Sequence, residues 1–438
     1  MKDIEEVFKK QLLLITPNER EIKILTLDVS SLVFKLNSEL RKINAFAMVG
    51  GSFAKGTIIK RNRYDIDIFV RFDYEKYKEK EKQTSGILLK ILEKINKEKL
   101  FRTEILHGSR DYFRIRLKDI EKLLGVPVYI EIVPVISIKK AEEALNVTDM
   151  SPLHVNYVLD KIKKNPGLAD SIRLMKSFCY SQGCYGAESH IRGFSGYSIE
   201  LLCIHFGSFF HMLKEAVKWQ PKKKIILDLS NSYKSKEDLM MEMNEAKILS
   251  PLILIDPLQR DRNAGAALSG EKLRIFIKAA KAFLKNPALK YFMKKGISEE
   301  EMRKKAKAKK MSLILIKAKS QKEKEDVAGA KLFKLFRIFL ERFGKEGKIE
   351  GKWKYNEQER EAEFFFLFKP EKKLIIKGPP LKMENYVKAF KKKWPKAFVK
   401  SGHLCASRKS KSIKEILSIP KKQMNEMGIK EIELSTKN

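Results

Sequence analysis

Alternation of apolar and polar positions dominates the first third of the chain. Across residues 64–70 the order Tyr-Asp-Ile-Asp-Ile-Phe-Val has a period of two. In a strand, that period sends Ile66 and Ile68 to one face and Asp65 and Asp67 to the other. Strand-like runs at 45–49, 65–72, 113–117 and 128–138 are separated by helical spacing at 31–40 and 87–97. The mixture predicts a mixed sheet with helices over residues 1–139. From 140 to 290, apolar residues recur three and four positions apart, over 170–182, 197–207 and 271–285, and predict a helical domain. Asp170 stands where a helix cap belongs and Gly183 where a helix-ending glycine belongs. Beyond 291, strand-like runs at 311–318 and 363–368 flank a segment in which Leu332, Leu335, Phe336, Phe339 and Phe343 share one helix face. The expected architecture is α+β and multidomain, divided as 1–139, 140–290 and 291–438.

Charge adds a partner to this picture. The 438 residues hold 91 Lys and Arg against 55 Asp and Glu, a net charge of +36. Residues 291–438 carry +21 of it, which leaves 36 − 21 = +15 for the first 290. Solubility asks for only about 2–8 charges on a small domain. An anionic partner is therefore expected, nucleic acid first, with a lysine-rich proteome as the competing account. The basic run 303–310 fits either a solvated linker or a stripe facing phosphates. A hydrophobic content of 43% excludes wholesale disorder. No run of about 18 apolar residues suggests a membrane span, and the charged opening residues do not resemble a secretory signal. A cytoplasmic location is expected, with Cys179, Cys184, Cys203 and Cys405 as free buried thiols and no zinc site.

Candidate chemistry begins at residues 49–57, Val-Gly-Gly-Ser-Phe-Ala-Lys-Gly-Thr. A strand runs into two glycines and a serine at a helix start, where free N–H groups bind anions. The spacing matches neither a dinucleotide-binding fingerprint nor a P-loop. Asp65 and Asp67 follow on one strand face, where like charges repel unless a cation lies near them. Magnesium is the natural choice, because it takes carboxylates together with phosphate oxygens. Glu131 is the sole charge across residues 126–136 and must face a cation or a partner. If its strand neighbours that of Asp65, three carboxylates converge on one metal cluster suited to phosphoryl or nucleotidyl transfer.

In this order, these residues resemble the polymerase-β-like nucleotidyltransferase superfamily. More narrowly, the chain resembles the archaeal (class I) CCA-adding enzymes, or tRNA nucleotidyltransferases. That likeness rests on Arg173-Leu-Met-Lys176, Tyr185-Gly-Ala-Glu188, Gly193-Phe-Ser-Gly-Tyr197, residues 256–263 (Asp-Pro-Leu-Gln-Arg-Asp-Arg-Asn) and Gly378-Pro-Pro380. The resemblance implies a catalytic, metal-binding set of Asp65, Asp67 and Glu131 with two Mg2+ ions. It implies nucleotide contacts from Gly51, Ser52, Lys55, His154, Lys176, Tyr185, Arg262 and Asn263. It further implies CTP and ATP as substrates, tRNA held at its acceptor stem and 3′ end by the basic last third, and a homodimer. Two positions depart from the family pattern, Lys55 for the usual Arg and Glu131 for the usual Asp. The competing readings are another RNA 3′-end nucleotidyltransferase, such as a poly(A) polymerase or an oligoadenylate-type synthetase, and a retired RNA-binding protein.

Overall fold

The structure is a computed structural model that describes residues 2–294, 296–321 and 324–435. It divides into two compact units, Met1–Lys295 and Gly296–Asn438. The border expected at 139/140 runs inside the first unit, which holds two hydrophobic cores, the first of them reaching past that border to Met150.

The first core lies under a five-stranded sheet of order β1-β2-β5-β4-β3. Its strands are β1 (Ala45–Val49), β2 (Tyr64–Asp73), β3 (Arg102–Leu106), β4 (Tyr112–Arg116) and β5 (Val128–Ser137). β2 runs antiparallel to β1 and parallel to β5, in a register that sets Asp67 opposite Glu131. Ile66, Ile68, Ile130 and Ile132 are at most 1% exposed and face Leu25, Val29, Leu32 and Leu36 of the helix Glu19–Leu40. That helix starts on a capping box in which Asn18 and Glu21 bond reciprocally to each other's backbone N–H. With one face filled by isoleucines, the alternation of β2 leaves its acids on the other.

The second core gathers Ile172, Met175 and Phe178 of the helix Gly167–Ser181 with Leu201 and Leu202 of the helix Gly196–Phe206. Phe276 and Phe283 of the helix Gly270–Lys285 complete it. The N-terminal helix Lys2–Ile15 joins this core and not the sheet: the Phe8 ring lies 5.3 Å from Phe209 and stacks 5.8 Å from Phe283. Asp170 is not a helix cap. The helix begins three residues earlier, behind Pro166, and the Asp170 carboxylate instead pairs with Arg173 at 2.5 Å. Gly183 does end the helix, with φ +64. Sequence spacing also missed a three-stranded sheet of β6 (Ile225–Asp228), β7 (Leu252–Asp256) and β8 (Gln259–Asn263) in this helical region. β7 is buried along its whole length, so it shows no alternation and is hard to tell from buried helix.

In the second unit, β9 (Ser312–Ser320), β10 (Gly347–Asn356), β11 (Glu361–Pro370) and β15 (Ile429–Leu434) form a sheet of order β10-β11-β9-β15. The helix Glu325–Gly344 covers it, with Phe336 stacked on Phe366 and Phe343 tilted against Phe368. A second sheet there is β12 (Leu374–Pro380), β14 (His403–Arg408) and β13 (Phe398–Lys400), in that order. Most of the basic run 303–310 lies in the helix Glu299–Lys309. Arg303, Lys304 and Lys305 pair with Glu299, Glu300 and Glu350 at 2.7–3.0 Å, so it is an ion-paired helix face and not a linker. Among the described residues, no helix is long and apolar enough to cross a membrane.

Candidate active site

The glycine turn is shaped by what it must pass. A Cβ on Gly50 would lie 2.2 Å from the Phe69 ring, and one on Gly51, whose φ is +59, would lie 1.7 Å from Asp67 Oδ2. Only glycine lets the backbone come this close to the acid strand. The Gly50 N–H donates to the Asp67 carbonyl at 2.8 Å, and the short helix Gly51–Ala54 then carries Ser52 and leads to Lys55.

Asp67 is the acid with the most perturbed proton affinity. Burial, then the charge of Glu131, with a further contribution from Asp65, push its carboxyl up to about 7. Asp65 leans toward Arg63, 3.1 Å away. Glu131 accepts from Arg114 Nη2 at 2.9 Å, the arginine that faces it in the β4–β5 register. The expectation that Glu131 must meet a cation is thus met by a side chain. Three carboxylates on one sheet face are hard oxygen donors that fit a divalent ion, and the raised Asp67 is an acid short of positive charge. They do not form a closed ligand set here. Among the described residues, no three His, Cys, Asp or Glu side chains are placed to hold a metal, and Arg63 and Arg114 pair with the outer two acids.

A cavity of about 260 Å³ brings Ser52, Lys55, Asp65, Asp67, Lys176 and Tyr185 together. A second, of about 320 Å³, adds Gly51, Glu131 and His154. Lys55, Asp67 and Tyr197 line both, so the two are parts of one cleft. One wall is acidic and the other cationic. Lys176 Nζ is buried and donates to Thr57 Oγ1 at 3.1 Å and to its carbonyl at 3.3 Å. Burial pushes its pKa down to about 8, against the opposing pull of Glu200. Glu200, its side chain only 2% exposed, lies 2.7 Å from Lys55 Nζ and 3.6 Å from Lys176 Nζ. Sequence reasoning missed this shared counter-ion. Its signal was present, a lone acid in the run Ser-Ile-Glu-Leu-Leu-Cys at 198–203, the same kind that singled out Glu131.

Arg262 and Asn263 do not line the cleft. Arg262 stands one layer behind it: its Nη1 lies 2.6 Å from Asp256 Oδ2 and 3.0 Å from His154 Nε2. Asp256 also meets His154 at 2.9 Å and accepts from the Tyr197 hydroxyl at 3.0 Å. Burial alone would raise Asp256; its bonds to His154 and the Arg262 charge reverse that and hold it below the usual carboxylate range. Burial depresses His154, which favours the neutral imidazole. The Asn263 amide, expected among the nucleotide contacts, is engaged by backbone groups. Its Oδ1 accepts from the N–H groups of Leu254 and Gly265, and its Nδ2 donates to the carbonyls of Lys247 and Leu252. All four positions are spent on bonds that tie β8 to β7, to the helix Glu245–Ile248 and to the turn at Gly265.

The sheet, the glycine turn and the acid pair define a nucleotidyltransferase fold. The solved structure of Cid1, described with an RNA terminal uridylyl transferase activity, matches 68% of this chain and all of its own, with a TM-score of 0.51 at 14% identity. Residues 170–293 match the family of tRNA nucleotidyltransferase second domains. The CCA-adding enzyme of Nanoarchaeum equitans is 39% identical over 55% of this chain and 56% of its own length. That of Pyrobaculum aerophilum is 33% identical over 67% of this chain and 63% of its own. The chain therefore spans roughly 56–63% of these curated relatives. Over that span it is similar to the CCA-adding enzymes of these archaea. Such enzymes generally use divalent metal ions.

Proposed function

We propose that this chain adds C, C and A to the 3′ end of tRNA from CTP and ATP, releasing pyrophosphate. The carrying observation is the cleft itself, in which Asp65 and Asp67 face Lys55, Lys176 and Tyr185 across a cavity of about 260 Å³. Lys55, Lys176 and the Ser52 turn are proposed to hold the triphosphate, as fixed cations and donors that stabilise the departing pyrophosphate. Asp65, Asp67 and Glu131 are proposed to hold a divalent ion, Mg2+ first. When bound, that ion supplies positive charge to the reacting phosphate oxygens. Tyr197, His154 and Arg262 are all oriented by the Asp256 carboxylate, with the His154 ring 4.1 Å from that of Tyr197, and are proposed to meet the base. CTP and ATP share an amino group on the pairing edge that UTP and GTP lack, so a few fixed hydrogen bonds suffice to select them. The test is a tRNA transcript without CCA, incubated with CTP, ATP and Mg2+. Three added nucleotides and a stop are expected; a long homopolymer or no extension would refute the reading.

The second unit, with most of the net charge, is proposed to grip the acceptor stem by shape and 2′-hydroxyls rather than by sequence. Binding of tRNA is expected to weaken on the order of 10³-fold between 50 and 200 mM salt. A flat response in a filter-binding titration would remove the basic unit from the proposal. By likeness to its relatives the proposal extends to a homodimer, which sedimentation can check.

A further inference from the structure

One cation of the cleft has no role in the reading above. Arg61, between the glycine turn and β2, lines the 260 Å³ cavity beside Asp65 and Lys176. Its guanidinium carbon sits 4.1 Å from the centroid of the Tyr180 ring, on the helix Gly167–Ser181. Lys294 approaches the same ring, its Nζ 4.9 Å from the centroid, and Lys294 itself is exposed. Two positive charges thus converge on one aromatic side chain.

The charge balance at this ring is incomplete. Among the described residues, the ion pairs of the cleft involve Lys55, Arg63, Arg114 and Lys176, and no carboxylate pairs with Arg61 or Lys294. Arg61 Nε is buried and has no hydrogen-bond partner. A ring face returns about 0.5–2 kcal/mol to a cation, less than a charge-assisted hydrogen bond with an anion. Burial would raise the Tyr180 hydroxyl, but the charges of Arg61 and Lys294 and their side-chain hydrogen bonds to it outweigh burial and lower it. The local field is therefore that of an anion site. The ring fixes the plane of the guanidinium, and a planar fork suits phosphate oxygens.

We propose that Arg61 and Lys294, assembled on Tyr180, form a phosphate-binding subsite that leads from the catalytic cleft outward. The ligand chemistry is a phosphate oxygen. Its source is either a backbone phosphodiester near the RNA 3′ end or the terminal phosphate of the nucleotide. The exposure of Lys294, and its absence from the cavity lining, favour the phosphodiester. The inference rests on the proposed nucleotidyl transfer to RNA.

The test uses the full chain and the variants Arg61→Gln, Lys294→Gln, Tyr180→Phe and Tyr180→Leu. In steady-state extension assays, Arg61→Gln and Lys294→Gln are expected to raise the KM for tRNA about tenfold, more than they lower kcat. Each should also flatten the salt dependence of RNA binding by about one phosphate contact. Tyr180→Phe keeps the ring but removes the hydroxyl that both cations bond, and should raise the KM for tRNA less than Tyr180→Leu, which should follow Arg61→Gln. A KM rise confined to CTP, with weaker binding of inorganic tripolyphosphate in calorimetry, would place the nucleotide's phosphate at this subsite instead. Unchanged KM values for both substrates with unchanged tripolyphosphate binding would overturn the subsite. If wild-type protein adds no nucleotides, the function proposal fails by itself. The subsite is then read from binding of tripolyphosphate and of a short RNA to wild type and Arg61→Gln.

Discussion

Asp67→Asn is expected to lower nucleotide addition by about 10²–10³-fold, the scale of losing a charged group that acts on the transition state. The same substitution should leave the chelator-treated protein at least as stable as wild type. In the folded chain the Asp67 carboxyl sits at about 7, raised from 3.8 chiefly by burial and then by Glu131. A raised folded-state value means that the folded chain binds the proton more tightly than the unfolded one. Stability is therefore lost as pH climbs from about 4 to 7, and the deficit is constant above that. Asparagine removes the charge without removing volume, so in EDTA at pH 8 the variant should melt at an equal or higher temperature, and at pH 3 the two should coincide. Scanning fluorimetry and single-turnover extension measure the two halves. Activity falling while stability rises marks a group kept for chemistry. Near-native activity in Asp67→Asn would remove Asp67 from the catalytic set.

The part of this site legible in sequence is the part built on local periodicity. β1, β2 and β5 stand where alternation puts them, and the parallel register sets Asp67 opposite Glu131. The glycine turn was equally readable, since a close approach leaves a glycine at each point of contact. What escaped is non-local. Nothing in the spacing around Arg114 ties it to Glu131, seventeen residues on; only the antiparallel β4–β5 pairing does. Asp149 was unremarkable in sequence, yet it is fully buried and accepts from Arg110 at 2.6 Å and from the Ile136 N–H at 2.8 Å. It pins the end of β5 to the start of the helix Ser151–Lys164 that carries His154. The partners of Asn263 are non-local in the same way. Its motif pointed to a ligand, while four backbone partners from three segments claim its amide.

Glu200→Gln is expected to move the pH dependence of nucleotide binding, because this acid keeps a buried ammonium charged. Lys176 sits at about 8, lowered from 10.5 by burial and by the charge of Lys55, and supported by Glu200 and, more weakly, by Cys203. Thr57 offers it only neutral oxygens. In wild type, the ammonium that would meet the triphosphate is lost as pH rises through about 8, so the KM for CTP should climb above that pH. Without the Glu200 charge the ammonium is harder to keep, and the climb should begin about one unit lower. At pH 7.5 such a displacement is expected to raise the KM about threefold over wild type, approaching tenfold above pH 9, and at pH 6 the gap should close, since Lys176 is then protonated in both. Breaking a buried pair also costs about 3–5 kcal/mol of stability, so folding must be checked in parallel. Glu200→Asp keeps the charge on a shorter arm and should restore the limb toward pH 8, which separates an electrostatic role from a packing one. A KM raised equally at every pH, or a limb displaced upward, would show that Glu200 merely fills space between Lys55 and Lys176.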